Sequence, residues 1–108
     1  MKTCTAKDLK ERLDRNEKVL LIDVREDEEV AQGIIAGAKH LAMSTLPESL
    51  DNFKQVIEAF SGDCILYCKA GARSEKVALF LEKELSPELK DRELVNLLGG
   101  YLDWEDTK

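Results

Sequence analysis

Apolar residues along this chain fall in two rhythms. Short uninterrupted runs, Val19-Leu20-Leu21-Ile22 in "KVLLID" and Cys64-Ile65-Leu66-Tyr67 in "CILY", read as strands covered on both faces. A half-exposed strand would instead alternate apolar with polar positions. "HLAM" predicts a brief strand and "ELVNLL" the last one. Between the runs, apolar residues recur at helical spacing. Ala6, Leu9 and Leu13 share one face of a helix that opens at Thr5, with Asp8 three residues on as its start signal, and ends near Asn16. Leu50, Phe53, Ile57 and Phe60 mark a helix drawn from Leu46, with Pro47 tolerated in its first turn and Ser61-Gly62-Asp63 as its stop. Val77, Phe80, Leu81 and Leu85 mark another in "SEKVALFLEKEL", with Pro87 just beyond its end. "REDEEVAQGIIAGAKH" predicts a helical turn over 26–31 and then a loop, and "YLDWEDTK" a C-terminal helical turn after Gly99-Gly100. Strands alternating with helices indicate an α/β domain with a mostly parallel sheet. With no repeats, linkers or low-complexity tracts, residues 1–108 read as a single domain.

Composition narrows the function classes. A chain of 108 residues can bury one core without metal or disulfide staples, and 44% hydrophobic with 35% charged residues fits a soluble globular protein. The net charge of −6 makes nucleic acid a poor partner, since phosphate backbones require a positive footprint. Any anion site must be a local positive spot in a negative field. No segment approaches the roughly 18 apolar residues of a membrane span, and the N-terminus lacks a signal-peptide core, so a cytoplasmic protein without membrane contact is expected. Three cysteines, Cys4, Cys64 and Cys68, are an odd number at irregular spacing, which suits reduced thiols better than a disulfide framework.

The chemistry concentrates in "YCKAGARS", Tyr67 to Ser74. Cys68 falls at the carboxyl end of a buried strand, where ligand sites of parallel α/β sheets lie. The loop behind it is nearly free of side chains, so the backbone N–H groups of Ala70, Gly71 and Ala72 can converge on one point. The helix starting near Ser74 adds its positive end. Lys69 and Arg73 add full charges. All of these favour thiolate over thiol and predict a lowered Cys68 pKa. The only histidine, His40, is distant in sequence, so no general base is apparent. A ready-made thiolate with an anion cradle suits attack on an already electrophilic sulfur, as in thiosulfate, a polysulfide or a persulfide, rather than peptide or ester hydrolysis.

"CKAGARS" resembles the active-site loop of the rhodanese (thiosulfate sulfurtransferase) superfamily, whose common form is Cys-Arg-x-Gly-x-Arg-Ser. "LLIDVREDEEVAQGIIAGAKHL" is similar to that family's first signature and "LLGGYLDW" to its closing Gly-Gly-x-x-x-Trp element, in the same order. The resemblance covers Thr5 to Trp104 and implies a rhodanese-like α/β domain, a mostly parallel five-stranded sheet flanked by helices. It implies that Cys68 is the nucleophile carrying sulfur as a persulfide, with Lys69, Ala70, Gly71, Ala72 and Arg73 cradling the donor. The partners implied are a small sulfur-anion donor and a cyanide, thiol or protein sulfur acceptor, with no metal or organic cofactor, in a monomer or homodimer. Lys69 stands where the family often has arginine and loses the planar two-pronged donor, while Ile34 and Ala36 replace a histidine and a frequent proline. Phosphatase and arsenate reductase relatives place five residues between cysteine and arginine. Here Lys69 to Ala72 make four, a smaller ring that favours a sulfur atom. The remaining rivals are a persulfide carrier that uses thiosulfate poorly and a non-enzymatic interaction module on the same fold.

Asp23, Arg25 and Ser74 are expected as supporting residues behind the loop. Asp23 is a candidate partner for Arg73, set against an ordinary pairing of Arg25 with Glu28 or Glu29. The acidic run from Glu26 to Glu29 reads as a solvated face, Cys64 as core, Cys4 as part of a mobile terminus, and Tyr101, Leu102 and Trp104 as packing. With one histidine and no CxxC pair, zinc is not expected.

Overall fold

In a computed structural model, which describes residues 1–90 and 92–107, five parallel strands form one sheet between two layers of helices. The elements run β1 (Lys2–Cys4), α1 (Ala6–Asp14), β2 (Leu20–Asp23), α2 (Asp27–Val30), β3 (Lys39–His40), α3 (Leu50–Glu58), β4 (Cys64–Tyr67), α4 (Ala72–Glu84), α5 (Ser86–Leu89), β5 (Val95–Leu97) and α6 (Gly100–Asp106). A short 3₁₀ turn, Met43–Thr45, precedes α3. The spatial order is β1-β5-β4-β2-β3, so β4 is central, with β5 on one side and β2 on the other. Leu20 pairs with Cys64 and Asp23 with Tyr67, which brings the ends of β2 and β4 to the same edge.

The uninterrupted apolar runs are buried along their whole length, as strands covered on both faces must be. Leu20, Ile22, Cys64 and Leu66 face a core built with Phe53 and Ile57 of α3 and Val77, Ala78 and Leu81 of α4. Leu21, Ile65 and Tyr67 face the opposite core, where Leu9 and Leu13 of α1 meet Tyr101 and Trp104 of α6. The start of α1 is a reciprocal cap, with the Asp8 N–H donating to Thr5 Oγ1 at 3.1 Å and the Thr5 N–H to Asp8 Oδ2 at 3.2 Å.

Several expectations need correction. Cys4 is not in a mobile terminus: it is buried in β1, an edge strand paired with β5 from Lys2 to Cys4. Only one of its three residues is buried, too short an alternation to stand out in sequence. Pro87 lies just beyond the end of α4, as expected, but a further short helix, α5, follows there and holds it in its first turn, where its missing N–H is not needed. The helix drawn from Leu46 begins at Leu50, and the "HLAM" strand is confined to Lys39–His40. Among the described residues, no helix is long and apolar enough to cross a membrane.

Burial sets the two structural thiols apart. Loss of hydration pushes the thiol of Cys4 up to about 11 and that of Cys64 up to about 12, from an ordinary 9.0. In the unfolded chain both ionise near 9 while the native protein keeps them neutral, so their contribution to stability is full below that pH and drains away as pH rises toward 11 and 12. Urea unfolding stability is therefore expected to fall above pH 9, and Cys64→Ala to flatten that fall. An unchanged slope in the variant would show that another group controls it.

Candidate active site

The site grows from the end of β4. Cys68 is 1% exposed, and its sulfur accepts hydrogen bonds from the Gly71 N–H at 3.1 Å and the Ser74 N–H at 3.4 Å. The Ser74 hydroxyl lies 3.4 Å from the same sulfur. Convergence of N–H groups requires that the loop's carbonyls turn away, and three of them have partners that hold them. The Cys68 carbonyl accepts from the Tyr101 N–H at 2.9 Å and the Lys69 carbonyl from the Leu102 N–H at 3.1 Å, both in the first turn of α6. The Gly71 carbonyl accepts from Asn96 Nδ2 of β5 at 3.2 Å. The free N–H groups at the start of one helix thus stand in for solvent on a loop that precedes another.

Two glycines make this close approach feasible. Gly71 caps α4 at φ 110°, a left-handed conformation that opens the loop around the sulfur. Gly100, at φ 57°, lies so near the loop that a Cβ there would stand 2.5 Å from the Cys68 carbonyl oxygen and 2.6 Å from that of Lys69.

Burial of Cys68 alone would raise its pKa, but the hydrogen bonds from Ser74 Oγ and from the N–H groups of Ser74, Gly71 and Ala70 outweigh it, and the thiol is shifted below 9.0. This is opposite to Cys4 and Cys64, and the difference is the loop. Ser74, expected behind the loop, donates directly to the sulfur. The N–H groups of Lys69, Ala72 and Arg73 make no hydrogen bond to it among the described residues, and the Lys69 side chain is exposed.

The charged residues pair differently from the sequence expectation. Asp23 does not meet Arg73, and Arg25 meets neither Glu28 nor Glu29. Instead Asp23 and Arg25, both buried, form a two-pronged pair with contacts of 2.7–3.1 Å. Arg25 also donates to the Gly33 carbonyl at 2.7 Å and lies 4.2 Å over the Tyr101 ring. Tyr67 lies 6.3 Å from Tyr101 and accepts the Ile35 N–H at 3.1 Å through its phenol oxygen. Arg73 is bound through both terminal nitrogens to Glu29, at 2.7 Å each. Those hydrogen bonds hold the Glu29 carboxyl down at about 2. The acidic run is thus only partly a solvated face. Asp27 and Glu28 extend toward solvent, but Glu29 binds Arg73, and Glu26 accepts from the Ser44 hydroxyl at 2.6 Å. His40 makes no hydrogen bond to Cys68 among the described residues; its Nε2 lies 2.7 Å from the Arg25 carbonyl, which can only accept, so Nε2 carries the proton.

Asn96 escaped the sequence reading. It is the one polar residue in "LVNLL", 1% exposed, with Nδ2 on the Gly71 carbonyl and Oδ1 within hydrogen-bond distance of Ser74 Oγ. A buried amide is costly unless bonded, so an asparagine inside an apolar strand is itself a signal that something polar lies opposite. Glu29 gave no comparable signal, because nothing in a run of acids distinguishes the member that turns inward.

The site is thus one thiol seated in backbone donors at the carboxyl end of the central strand of a parallel α/β sheet. The chain matches the rhodanese-like domain family over residues 5–107 and belongs to it. It is 36% identical over 101 residues to the Bacillus subtilis protein YtwF, spanning 93% of this chain and 87% of that one. To a protein of Allochromatium vinosum named "Sulfurtransferase" it is 32% identical over 96 residues, spanning 89% and 80%. Among solved structures, a rhodanese-like domain protein from Staphylococcus aureus is 34% identical and superposes with a TM-score of 0.75 over 96% of this chain and 91% of that one. The five-stranded parallel sheet is the one that the resemblance implied.

Two measurements test this geometry. The ultraviolet absorbance of the Cys68 thiolate, taken as the difference between wild type and Cys68→Ser across pH, is expected to titrate below 9.0, and Ser74→Ala to move the midpoint upward. The stability that goes with this lowered pKa is present above 9.0 and lost as pH falls through the native midpoint. Gly100→Ala is expected to destabilise the fold to urea by about 1–3 kcal/mol, since a side chain there is strained in both φ and space. It is also expected to raise the Cys68 midpoint as α6 is pushed off the loop. A variant with unchanged stability and midpoint would remove α6 from the site.

Proposed function

We propose that the protein is a rhodanese-type sulfurtransferase in which Cys68 carries sulfane sulfur between a small donor and a nucleophilic acceptor. The observation that carries this reading is the hydrogen bonding of Cys68 Sγ by Gly71 and Ser74, which lowers the thiol pKa although the residue is buried. The sulfurtransferase relative and the family membership support the same chemistry.

In the first half of the cycle the Cys68 thiolate attacks the outer sulfur of thiosulfate, a polysulfide or a persulfide. A new sulfur–sulfur bond forms as the old one breaks, and its electron pair leaves on sulfite or on the shorter sulfur anion. No oxidant or reductant is consumed. The negative charge moves from Cys68 Sγ to the terminal sulfur of a persulfide, one bond length further into the loop. In this reading the N–H groups of Lys69, Ala70, Ala72 and Arg73 serve that outer sulfur and the leaving group, as Gly71 and Ser74 serve the inner one. In the second half cyanide or a thiol attacks the outer sulfur and restores the Cys68 thiolate. The donors are fixed backbone groups and need little reorganisation when the charge moves. A cellular thiol, free or on an acceptor protein, is the proposed natural acceptor, and the site calls on no metal or organic cofactor.

Intact mass gives the decisive experiment. After incubation with thiosulfate or polysulfide, the wild type is expected to gain one sulfur, about 32 Da, and to lose it on addition of cyanide. Cys68→Ser is expected to gain none. Loading on both proteins would place the sulfur on Cys4 or Cys64, and loading on neither would end the sulfurtransferase reading.

A further inference from the structure

The two-pronged contact between Arg73 and Glu29 bears on which donor the site takes. Arg73 is the cation nearest the sulfur in sequence after Lys69, and Cys68, Glu29 and Glu26 all act on its charge. Its guanidinium does not wait for a ligand: two of its N–H groups bond Glu29 at 2.7 Å each, and Glu29 is fixed in turn by the Glu26 N–H at 3.1 Å. Arg73 holds the Glu29 carboxyl at about 2, far below its ordinary 4.5, so it is ionised at neutral pH. Lys69 is exposed and makes no salt bridge among the described residues. The mouth of the proposed site therefore holds two cations and two carboxylates beside the Cys68 sulfur. It is not a positive funnel.

We propose that Glu29 is a specificity-determining residue that turns the Cys68 site toward low-molecular-weight persulfides of little charge and away from the thiosulfate dianion. This rests on the sulfurtransferase reading and names the donor class within it. When a thiolate attacks thiosulfate, three negative charges are gathered in one small space. The bond between the two sulfurs breaks, two charges leave on sulfite and one stays on the new Cys68 persulfide. When it attacks a neutral persulfide, only one charge is present throughout. The electron pair leaves on the released thiolate, and the proton stays on the transferred sulfur. A thiosulfate ion must either draw Arg73 away from Glu29, giving up two charge-assisted hydrogen bonds, or react with the Glu29 carboxylate beside it. A persulfide reacts in its protonated form, and even when ionised its outer sulfur brings one charge where thiosulfate brings two, so the penalty it meets is smaller. Specificity obtained by a repulsive element needs no additional contact to the favoured donor.

Glu29→Gln removes the charge while keeping the length of the side chain and one oxygen for Arg73. Loading of Cys68 with thiosulfate and with cysteine persulfide would be followed by intact mass and rate in the wild type and in this variant. The ratio of kcat/KM for thiosulfate to that for cysteine persulfide is expected to rise by roughly tenfold or more in Glu29→Gln, as the loss of one neighbouring charge predicts. A binding readout separates this from a general change in activity. Sulfite, titrated calorimetrically, is expected to bind more tightly to Cys68→Ser/Glu29→Gln than to Cys68→Ser. Should the variant lose its fold on thermal unfolding, Glu29→Ala, which removes the same charge, gives the same comparison. A ratio that stays flat, or a persulfide rate that rises equally, would overturn the assignment while leaving Cys68 as sulfur carrier. Failure of both donors to load the wild type would overturn the sulfurtransferase reading itself, and this inference with it.

Discussion

A peptide chain can aim its N–H groups at one atom only if its carbonyls are engaged elsewhere, and the rest of the site depends on how that condition is met. The loop from Cys68 to Gly71 lies outside the ladders of β4 and α4, apart from the Gly71 carbonyl, which also accepts the Glu75 N–H at 3.2 Å. Its carbonyls are taken instead by the first turn of α6 and by Asn96 of β5. Each partner comes from a different element, so the loop is held from two sides. The result is a set of donors whose orientation was settled when the protein folded, which is the condition under which backbone dipoles stabilise an anion most effectively. Without that set, Cys68 would share the fate of Cys64, four residues earlier on the same strand and pushed far up by burial.

The two ion pairs near the sheet edge play different parts, and burial tells them apart. Asp23 and Arg25 are dry, and each would be a costly orphan without the other. Arg25 directs its remaining donors and its flat face to the Gly33 carbonyl and the Tyr101 ring, so one side chain joins β2, the loop after α2 and α6. Glu29 and Arg73 are partly exposed, at 28% and 35% of the side chain, and can exchange partners with solvent or with an ion. The first pair is scaffold, while the second is the one that the proposed donor would meet.

The sequence made some of this plain and concealed the rest for physical reasons. Continuous apolar runs announced β2 and β4 because a strand buried on both faces has no polar alternation to blur it. The loop was legible because small residues, a thiol and two cations in one short turn are an unusual combination outside an anion cradle. β1 was hidden because a three-residue edge strand buries a single side chain. The partner of Arg73 was hidden because Glu29 is brought to it by the turn of α2, across 44 positions of chain, and neighbouring acids look alike until that turn selects one. Asn96 could have been found: a lone amide in an apolar strand asks what it bonds, and the answer lies beside the thiol.

The order in which the chain is made adds a consequence. Cys68 and its loop are synthesised well before residues 99–106, yet the loop's first two carbonyls have no protein partner until those residues arrive. A ribosome-bound chain that has emerged only as far as β5 already carries the thiol, the glycine turn and Ser74, but not the helix that turns the peptide groups inward. Domains fold as units while synthesis proceeds from the N-terminus, and here the surroundings of Cys68 are complete only once residues 99–106 have been made.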